Sequence, residues 1–525
     1  PSPRPQPPRR ACRGGCAFGG ETHRRAVGSR SFGYDGRGRV CGPCQTFDKG
    51  EGTTVPFGVR AASLRDEGAL RVTLGFACHQ GFVFSLFYLG QNRAIGEGAF
   101  AFERADLFGA LLCMVLSFAL LRAASPRARD ALLAGPLLWC YAALLVLGSL
   151  MPSIAESGAG GIALESLFVG APGGLMLAAW GRELGRRPVE RAVPGVLAAF
   201  GVAAAACLAV SAVPVSEALL ALKLLPLGSA FALQRGSRRA HAPSKGARGA
   251  EEAASLTFGD LVATREQRAE TARLSKKIVA GTALFGLAAG FMETFGSDPG
   301  MASTPAFAAA LLLLVLFCIA ALQLLVDGAL GASASDDAEG PLDAAYRLAV
   351  LVMMAGFLFV PVLGAFGVPG EAIVLAGYLG LTCVLVSLFL VMAKITGQDA
   401  ALSFARGFAA LYAGEMAGVV LGNGIELAEP AGQAPYAVAA FAGLAALFSY
   451  LFLFTERDFR ALSVIVRDAD RFEDACAAIA ERFGLSRREA EVLPLALRGR
   501  TGERIAAELF ISKSTVETHL RRIYA

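Results

Sequence analysis

Residues 305–326, Pro-Ala-Phe-Ala-Ala-Ala-Leu-Leu-Leu-Leu-Val-Leu-Phe-Cys-Ile-Ala-Ala-Leu-Gln-Leu-Leu-Val, run for 22 positions without a charge and with a single amide side chain, Gln323. A water-soluble surface helix carries a polar stripe along its solvated side, and this stretch has none. The hydrocarbon core of a bilayer is about 30 Å thick and takes about 20 apolar residues as a helix. The stretch therefore reads as a membrane span, and it has counterparts along the chain. Of the 525 residues, 54% are apolar and 18% charged, whereas soluble domains carry about 25% charge. That balance excludes a purely soluble enzyme and predicts an all-α fold built on a polytopic transmembrane helix bundle.

Twelve segments meet the length test: approximately 72–89, 105–121, 131–151, 162–180, 193–213 and 215–233, then 278–295, 305–326, 348–368, 372–393, 400–421 and 436–454. They fall as six plus six around residues 234–277, a polar stretch with ten basic side chains. Lysine and arginine are retained on the cytoplasmic side of a membrane, so their distribution sets orientation. With the N-terminus inside, the cytoplasmic connections hold 19 of them, including Arg122, Arg127, Arg129, Arg182, Arg186, Arg187 and Arg191, and the opposite connections hold Arg93 and Arg104. The expectation is a multi-pass protein of the inner (cytoplasmic) membrane with both termini in the cytoplasm.

Residues 1–71, with 13 basic and 6 acidic side chains, many Gly and Pro and no apolar run, read as a disordered or non-native leader. Cys41-Gly-Pro-Cys44 resembles half of a zinc site, and Cys12 and Cys16 lie nearby. Arg, Gly and Ser fill the interval where a zinc ribbon would place strands, so neither a metal nor a cofactor is expected. The bundle spans residues 72–455, with 234–277 as its cytoplasmic loop. Ionisable side chains at membrane depth usually face a cavity or a partner, which makes His79, Gln80, Lys223 and Glu415 the ligand-sensing candidates. Lys223 and Glu415 sit most centrally in their spans; they either pair with each other or hold an anionic or cationic ligand. Glu165 and Glu293 lie near span ends and read as interfacial. Glycines between Gly414 and Gly424 permit close helix approach.

After Phe454 the composition changes, with 13 basic and 12 acidic residues in 456–525 and no membrane-length apolar run. Residues 456–484 form a linker whose stretch Phe472–Phe483 is amphipathic at helical spacing and ends at Gly484, a suitable helix stop. Residues 485–525 form a small cytoplasmic domain. Ser486-Arg-Arg-Glu489 is a capping box opening a helix to Gly499. A second helix begins near Thr501 and puts Ile505, Ala506 and Leu509 on one side. A third starts near Ser514 with another Ser-x-x-Glu box to Glu517, and faces Val516, Leu520 and Ile523 inward. Its opposite stripe is polar, and a short helix of that kind fits the DNA major groove, about 12 Å wide.

Leu485-Ser-Arg-Arg-Glu-Ala-Glu-Val-Leu493, Arg504-Ile-Ala-Ala-Glu-Leu-Phe-Ile-Ser512 and Ser514-Thr-Val-Glu-Thr-His-Leu-Arg-Arg-Ile-Tyr524 together resemble the LuxR-type helix-turn-helix family. The resemblance implies DNA binding, with Glu517, Thr518 and Arg521 toward bases and Lys513, Ser514, Thr515 and Arg522 toward phosphates. Glu517 departs from the lysine common in that family, and can accept from cytosine N4. The family's domain continues with a further helix, so the unit reads as C-terminally incomplete. Residues 486–525 hold eight basic and five acidic groups, a modest charge for DNA binding that pairing into a homodimer would reinforce.

The six-plus-six arrangement with its long basic loop resembles the major facilitator superfamily in topology, although the Gly-x-x-x-Asp-Arg type loop signature is not evident in Leu121–Arg127. The expected function is a membrane-embedded one-component transcriptional regulator: a bundle sensing a small molecule or membrane signal, and a helix-turn-helix reading double-stranded promoter DNA. The alternative is a secondary transporter with a regulatory or vestigial DNA-binding appendage. Enzymatic function is not expected, because the chain has no Gly-rich phosphate loop before a lysine and no Ser-His-Asp spacing.

Overall fold

The computed structural model describes residues 67–88, 93–96, 101–154, 158–213, 216–240, 265–295, 304–331, 341–363, 370–396, 398–428, single positions between 443 and 476, and 479–497, 500–509 and 511–524. The first part of the bundle contains α1 (Glu67–Tyr88), α2 (Ala105–Ala123), α3 (Pro126–Leu132), α4 (Gly135–Ile154), α5 (Ala159–Gly185), α6 (Val189–Ser211), α7 (Ser216–Lys223) and α8 (Leu225–Ala240). The second contains α9 (Arg265–Phe295), α10 (Thr304–Gly331), α11 (Pro341–Leu363), α12 (Gly370–Thr396) and α13 (Ala400–Ala428). Among the described residues, nine helices are long and apolar enough to cross a membrane.

The remaining three predicted spans fare differently. The segment 348–368 overlaps α11, whose apolar stretch is the shorter Ala344–Leu358. The segment 436–454 lies almost wholly outside the described residues, as do the leader up to residue 66 and most of the linker. The segment 215–233 is a broken helix, with a turn at Leu224 between α7 and α8. Pro226 explains the break: it has no N–H to donate back, and its ring crowds the carbonyl one turn earlier. Pro136 acts alike in the third span, which starts at Gly135 instead of residue 131, after the separate short helix α3. Ser125 caps α3, its hydroxyl accepting from the Ala128 N–H at 3.3 Å. The 234–277 loop is also shorter than expected, because α8 continues to Ala240 and α9 begins at Arg265.

Leu112, Leu116 and Leu120 form an outward stripe on α2, and Leu312, Leu316 and Ile319 form one on α10. Leu116 and Leu120 are 58% and 60% exposed. In water such stripes would drive association; against hydrocarbon they are at rest. Lipid is as apolar as leucine, so the helices hold together through close packing and not through exclusion of water.

The tightest approach joins α9 and α13. A Cβ on Gly414 would lie 1.9 Å from the Ala283 carbonyl oxygen, and one on Gly290 would lie 2.0 Å from that of Glu415. Backbone meets backbone here, through Gly286-x-x-x-Gly290 on one helix and Gly414-x-x-x-Gly418 on the other. Glu415 is thereby fixed on a helix with little freedom to shift. Elsewhere aromatic rings fill the interior: Phe76 packs against Trp180 and Phe200, and Phe408 against Phe389, Phe404 and Tyr412. The buried Trp180 indole donates to Ser229 Oγ at 2.8 Å, which satisfies its polar atom. Among the described residues, the ring pairs Tyr88 with Phe307 and Phe118 with Tyr412 cross between the halves.

The C-terminal domain consists of α14 (Arg487–Leu497), α15 (Gly502–Glu508) and α16 (Lys513–Ile523). Its small core is Val492, Leu495, Ile505, Ala506, Leu509 and Val516, with Ile511, Leu520 and Ile523 packed at the margin. Before it, residues 479–482 are helical and end in a Schellman arrangement around Gly484, whose φ is +59°. The Leu485 N–H donates to the Ala480 carbonyl at 2.9 Å and the Gly484 N–H to that of Glu481 at 3.2 Å. Only a residue tolerant of the left-handed region closes a helix this way at low cost.

The α14 capping box forms as expected: the Ser486 N–H and hydroxyl donate to Glu489 Oε2 at 2.8 and 2.6 Å, and the Glu489 N–H donates to Ser486 Oγ at 3.4 Å. The box expected at Ser514 and Glu517 does not. The cap is Ser512, whose Oγ accepts from the Thr515 N–H at 3.1 Å. Ile511, just before that cap, packs in the same cluster as Val516, four residues into the helix. This hydrophobic staple fixes the start two residues earlier than Ser514 would.

Candidate functional site

In the C-terminal domain, burial of Val516 on the inner side of α16 turns the other side outward. Lys513, Ser514, Thr515, Glu517, Thr518, Arg521 and Arg522 are all exposed. Several already have partners. Lys513 Nζ lies 2.8 Å from Glu503 Oε1, and that hydrogen bond and charge hold the lysine above and the glutamate below their ordinary pKa values. Ser514 Oγ and Thr515 Oγ1 each lie 2.7 Å from Ser512 Oγ, and the Thr518 hydroxyl donates to the Ser514 carbonyl at 2.9 Å. Arg522 sits 3.8 Å and His519 4.0 Å from Glu489 Oε1. The Glu489 carboxyl is held below the usual glutamate range, first by its hydrogen bonds from Ser486 and then by Arg522 and His519. The α16 face thus presents hydroxyls, a carboxylate and guanidinium groups together, a set able to contact base edges and phosphates.

In the bundle, a cavity lies between the halves. On the first side it is lined from α1 by His79, Gln80 and Tyr88, with residues of α2, α5 and α6; on the second, from α12 by Tyr378 and Thr382 and from α13 by Phe408, Tyr412 and Glu415. His79, Gln80 and Glu415, far apart in the chain, therefore share one space. The Tyr378 hydroxyl donates to Glu415 Oε2 at 2.7 Å. His79 is 2% exposed, and its Nδ1 has no hydrogen-bond partner. The cavity volume is about 30 Å³, room for one or two water molecules and too little for an organic ligand in this conformation.

Lys223 is not part of this cavity. It ends α7, and the carboxylate within its electrostatic reach is Glu165. The proline break before α8 separates it from the central position that an unbroken span would have given. The alternative in which Lys223 pairs with Glu415 is therefore not realised.

Both ends of the bundle carry polar closures that the sequence left unassigned. At the end opposite the arginine-rich connections, Arg104 Nη2 donates to the Phe87 carbonyl at 2.8 Å and to Glu293 Oε2 at 2.9 Å. The Glu103 N–H donates to Asn423 Oδ1 at 2.7 Å, and Arg93 is bonded to Glu165. Arg104 takes φ 56°, ψ 35°, left-handed backbone that a non-glycine residue adopts at a cost of about 1–2 kcal/mol. Its two side-chain bonds hold it there. Glu165 and Glu293, expected at the interface, are in fact inward partners of arginines. At the arginine-rich end, Arg182 bridges Asp130 at 2.9 Å and Asp399 at 2.6 Å.

Sequence reasoning also missed Tyr88, Tyr378 and Tyr412. The available signal was a phenol inside an apolar span, above all Tyr412 at helical spacing from Glu415.

Comparison with known proteins locates one family. Residues 484–525 match the family described as "Bacterial regulatory proteins, luxR family", and this segment is a LuxR-type helix-turn-helix domain. No curated protein matches the chain. Among solved structures, the chain is similar to an auto inhibited POT family peptide transporter (13% identity, 74% of this chain and 96% of that one, TM-score 0.46). It is also similar to the human organic anion transporter MFSD10 (12%, 74% and 97%, 0.42), and to the Major Facilitator Superfamily transporter FucP in an outward conformation (14%, 78% and 99%, 0.41).

Proposed function

We propose that this protein is a one-component transcriptional regulator held in the inner membrane, whose bundle senses a small molecule or membrane signal and whose C-terminal domain binds promoter DNA in the cytoplasm. The observation that carries the reading is the LuxR-type domain at residues 484–525, with the polar face of α16 exposed, on the same chain as a polytopic membrane bundle. The excess of arginine and lysine on one set of connections supports a cytoplasmic C-terminus. Homodimer formation supplies the second half-site that one weakly basic module lacks.

Chromatin immunoprecipitation of the full-length protein tests the reading. Occupancy at discrete promoters is expected, and it should change when the bundle is replaced by an unrelated membrane anchor. Unchanged occupancy after that replacement removes the sensing role, and absence of any preferred duplex removes the regulatory one. Arg521→Ala should lower discrimination at one base position by about 1–3 kcal/mol in a binding series with substituted operators. A loss equal across all sequences would mark Arg521 as a phosphate contact.

A cavity that spans both halves also suits a secondary transporter. Flux in proteoliposomes, abolished by Glu415→Ala, would establish that second reading.

A further inference from the structure

The sequence left the sign of the bundle's ligand open, since Lys223 and Glu415 were both available. We infer that the central cavity binds an organic cation with an aromatic or alkyl body, its charge held by Glu415. This deepens the sensing role proposed above and rests on it.

Charge is the first argument. Among the described residues lining the cavity, Glu415 is the one carboxylate, and no lysine or arginine lines it. Lys223 is near Glu165 instead. Arg104, which also acts on Glu415, has its guanidinium bonded to Glu293 and to the Phe87 carbonyl. An anion would approach a carboxylate in a low-dielectric space with no lining cation to offset the repulsion. An ammonium would gain a charge-assisted hydrogen bond there.

The walls are the second argument. Phe84, Phe87, Tyr88, Phe408 and Tyr412 line the cavity together with Glu415, and aromatic rings attract cations through their faces and bury an apolar body. The third is His79, which is buried, lines the same space and has its Nδ1 without a hydrogen-bond partner. A neutral imidazole lining the space offers an acceptor nitrogen to an ammonium whose other proton goes to Glu415.

The cavity is too small for such a ligand while the halves are closed, and its walls come from both halves. The cation therefore binds a conformation in which the halves have parted. Its differential affinity shifts the bundle toward that conformation.

The test uses the purified full-length protein in nanodiscs of zwitterionic lipid, by equilibrium dialysis with three probes of one shape: phenethylammonium, phenethyl alcohol and phenylacetate. Saturable binding of phenethylammonium is expected, tighter than the alcohol by about tenfold or more, as one charge-assisted hydrogen bond provides, with phenylacetate weakest. Glu415→Gln should erase the preference for the cation over the alcohol while leaving alcohol binding in place. Tyr378→Phe, which removes the hydroxyl on Glu415 and keeps the carboxylate, should retain the preference.

The charge series on the unaltered protein stands even if Glu415→Gln fails to fold. Preference for phenylacetate, equal binding of the three probes, no saturable binding of the cation, or a folded Glu415→Gln protein with unchanged preference would each overturn the inference. No DNA enters this assay. Cation binding without any change in promoter occupancy would leave the ligand class standing and remove the sensing role alone.

Discussion

The two ends of the membrane bundle are tied by ion pairs of different kinds. At the end opposite the arginine-rich connections, the Arg104 and Glu293 side chains are 6% and 10% exposed. At the arginine-rich end, Arg182, Asp399 and Asp130 are 20%, 28% and 72% exposed. A buried pair holds firmly because removing one member strands a charge in a medium that cannot solvate it. A hydrated pair trades its partner for water at little net change. If the halves part as inferred above, the arginine-rich end is the softer seam and the opposite end the pivot.

The largest effect should come from breaking the pivot. Arg104→Ala takes the counter-charge away from buried Glu293 and is expected to destabilise the bundle by about 3–5 kcal/mol, read as loss of the monodisperse peak in size-exclusion after graded heating. Adding Glu293→Gln should restore part of that loss, because the stranded charge is gone. Gly414→Val comes next: the new side chain meets backbone of α9, and overpacking of this kind costs about 1–3 kcal/mol. Spin labels on α9 and α13 should report the two helices moving apart.

Arg182→Ala should change stability by at most about 1 kcal/mol. It should also raise the accessibility of a cysteine label introduced at Ala401, at the arginine-rich start of α13. If Arg182→Ala proves as harmful as Arg104→Ala, the contrast between the ends is wrong.

The smallest effect lies in the C-terminal domain, where the ion pairs resemble those of the softer end. Glu489 has its pKa lowered from the ordinary value of 4.5 in the folded domain. A depressed carboxylate adds stability that is complete above its unfolded pKa and is lost as pH falls through the folded one. Amide exchange across α14 in the full-length protein, corrected for intrinsic pH dependence, should therefore loosen below about pH 4.5. Glu489→Gln should remove that acid sensitivity, lowering protection at neutral pH and flattening its response to acid.

Much of this was legible from residue type and spacing. The spans are long apolar runs, and periodicity settled which side of α16 faces the core, since Val516, Leu520 and Ile523 recur on one helical stripe. Where two local signals competed, sequence reading went astray. Ser512 and Ser514 both suit a helix cap, and the choice fell to Ile511, whose packing on the core is a contact between elements. Lys223 looked central because the span was drawn unbroken, whereas Pro226 divides it. Arg104 and Glu293 gave no local sign of pairing, being 189 residues apart.

By itself, then, the chain determined that it crosses a membrane many times and carries a short helix of the LuxR type with one polar stripe. Both follow from side-chain chemistry repeated at the period of a helix, which is a local property. Only the tertiary structure decided that Glu415 shares a cavity with His79 and Gln80 and not with Lys223. Helix-to-helix contact depends on backbone approach at Gly290 and Gly414 and on where a proline interrupts a span, and those distances are set between segments far apart in the chain.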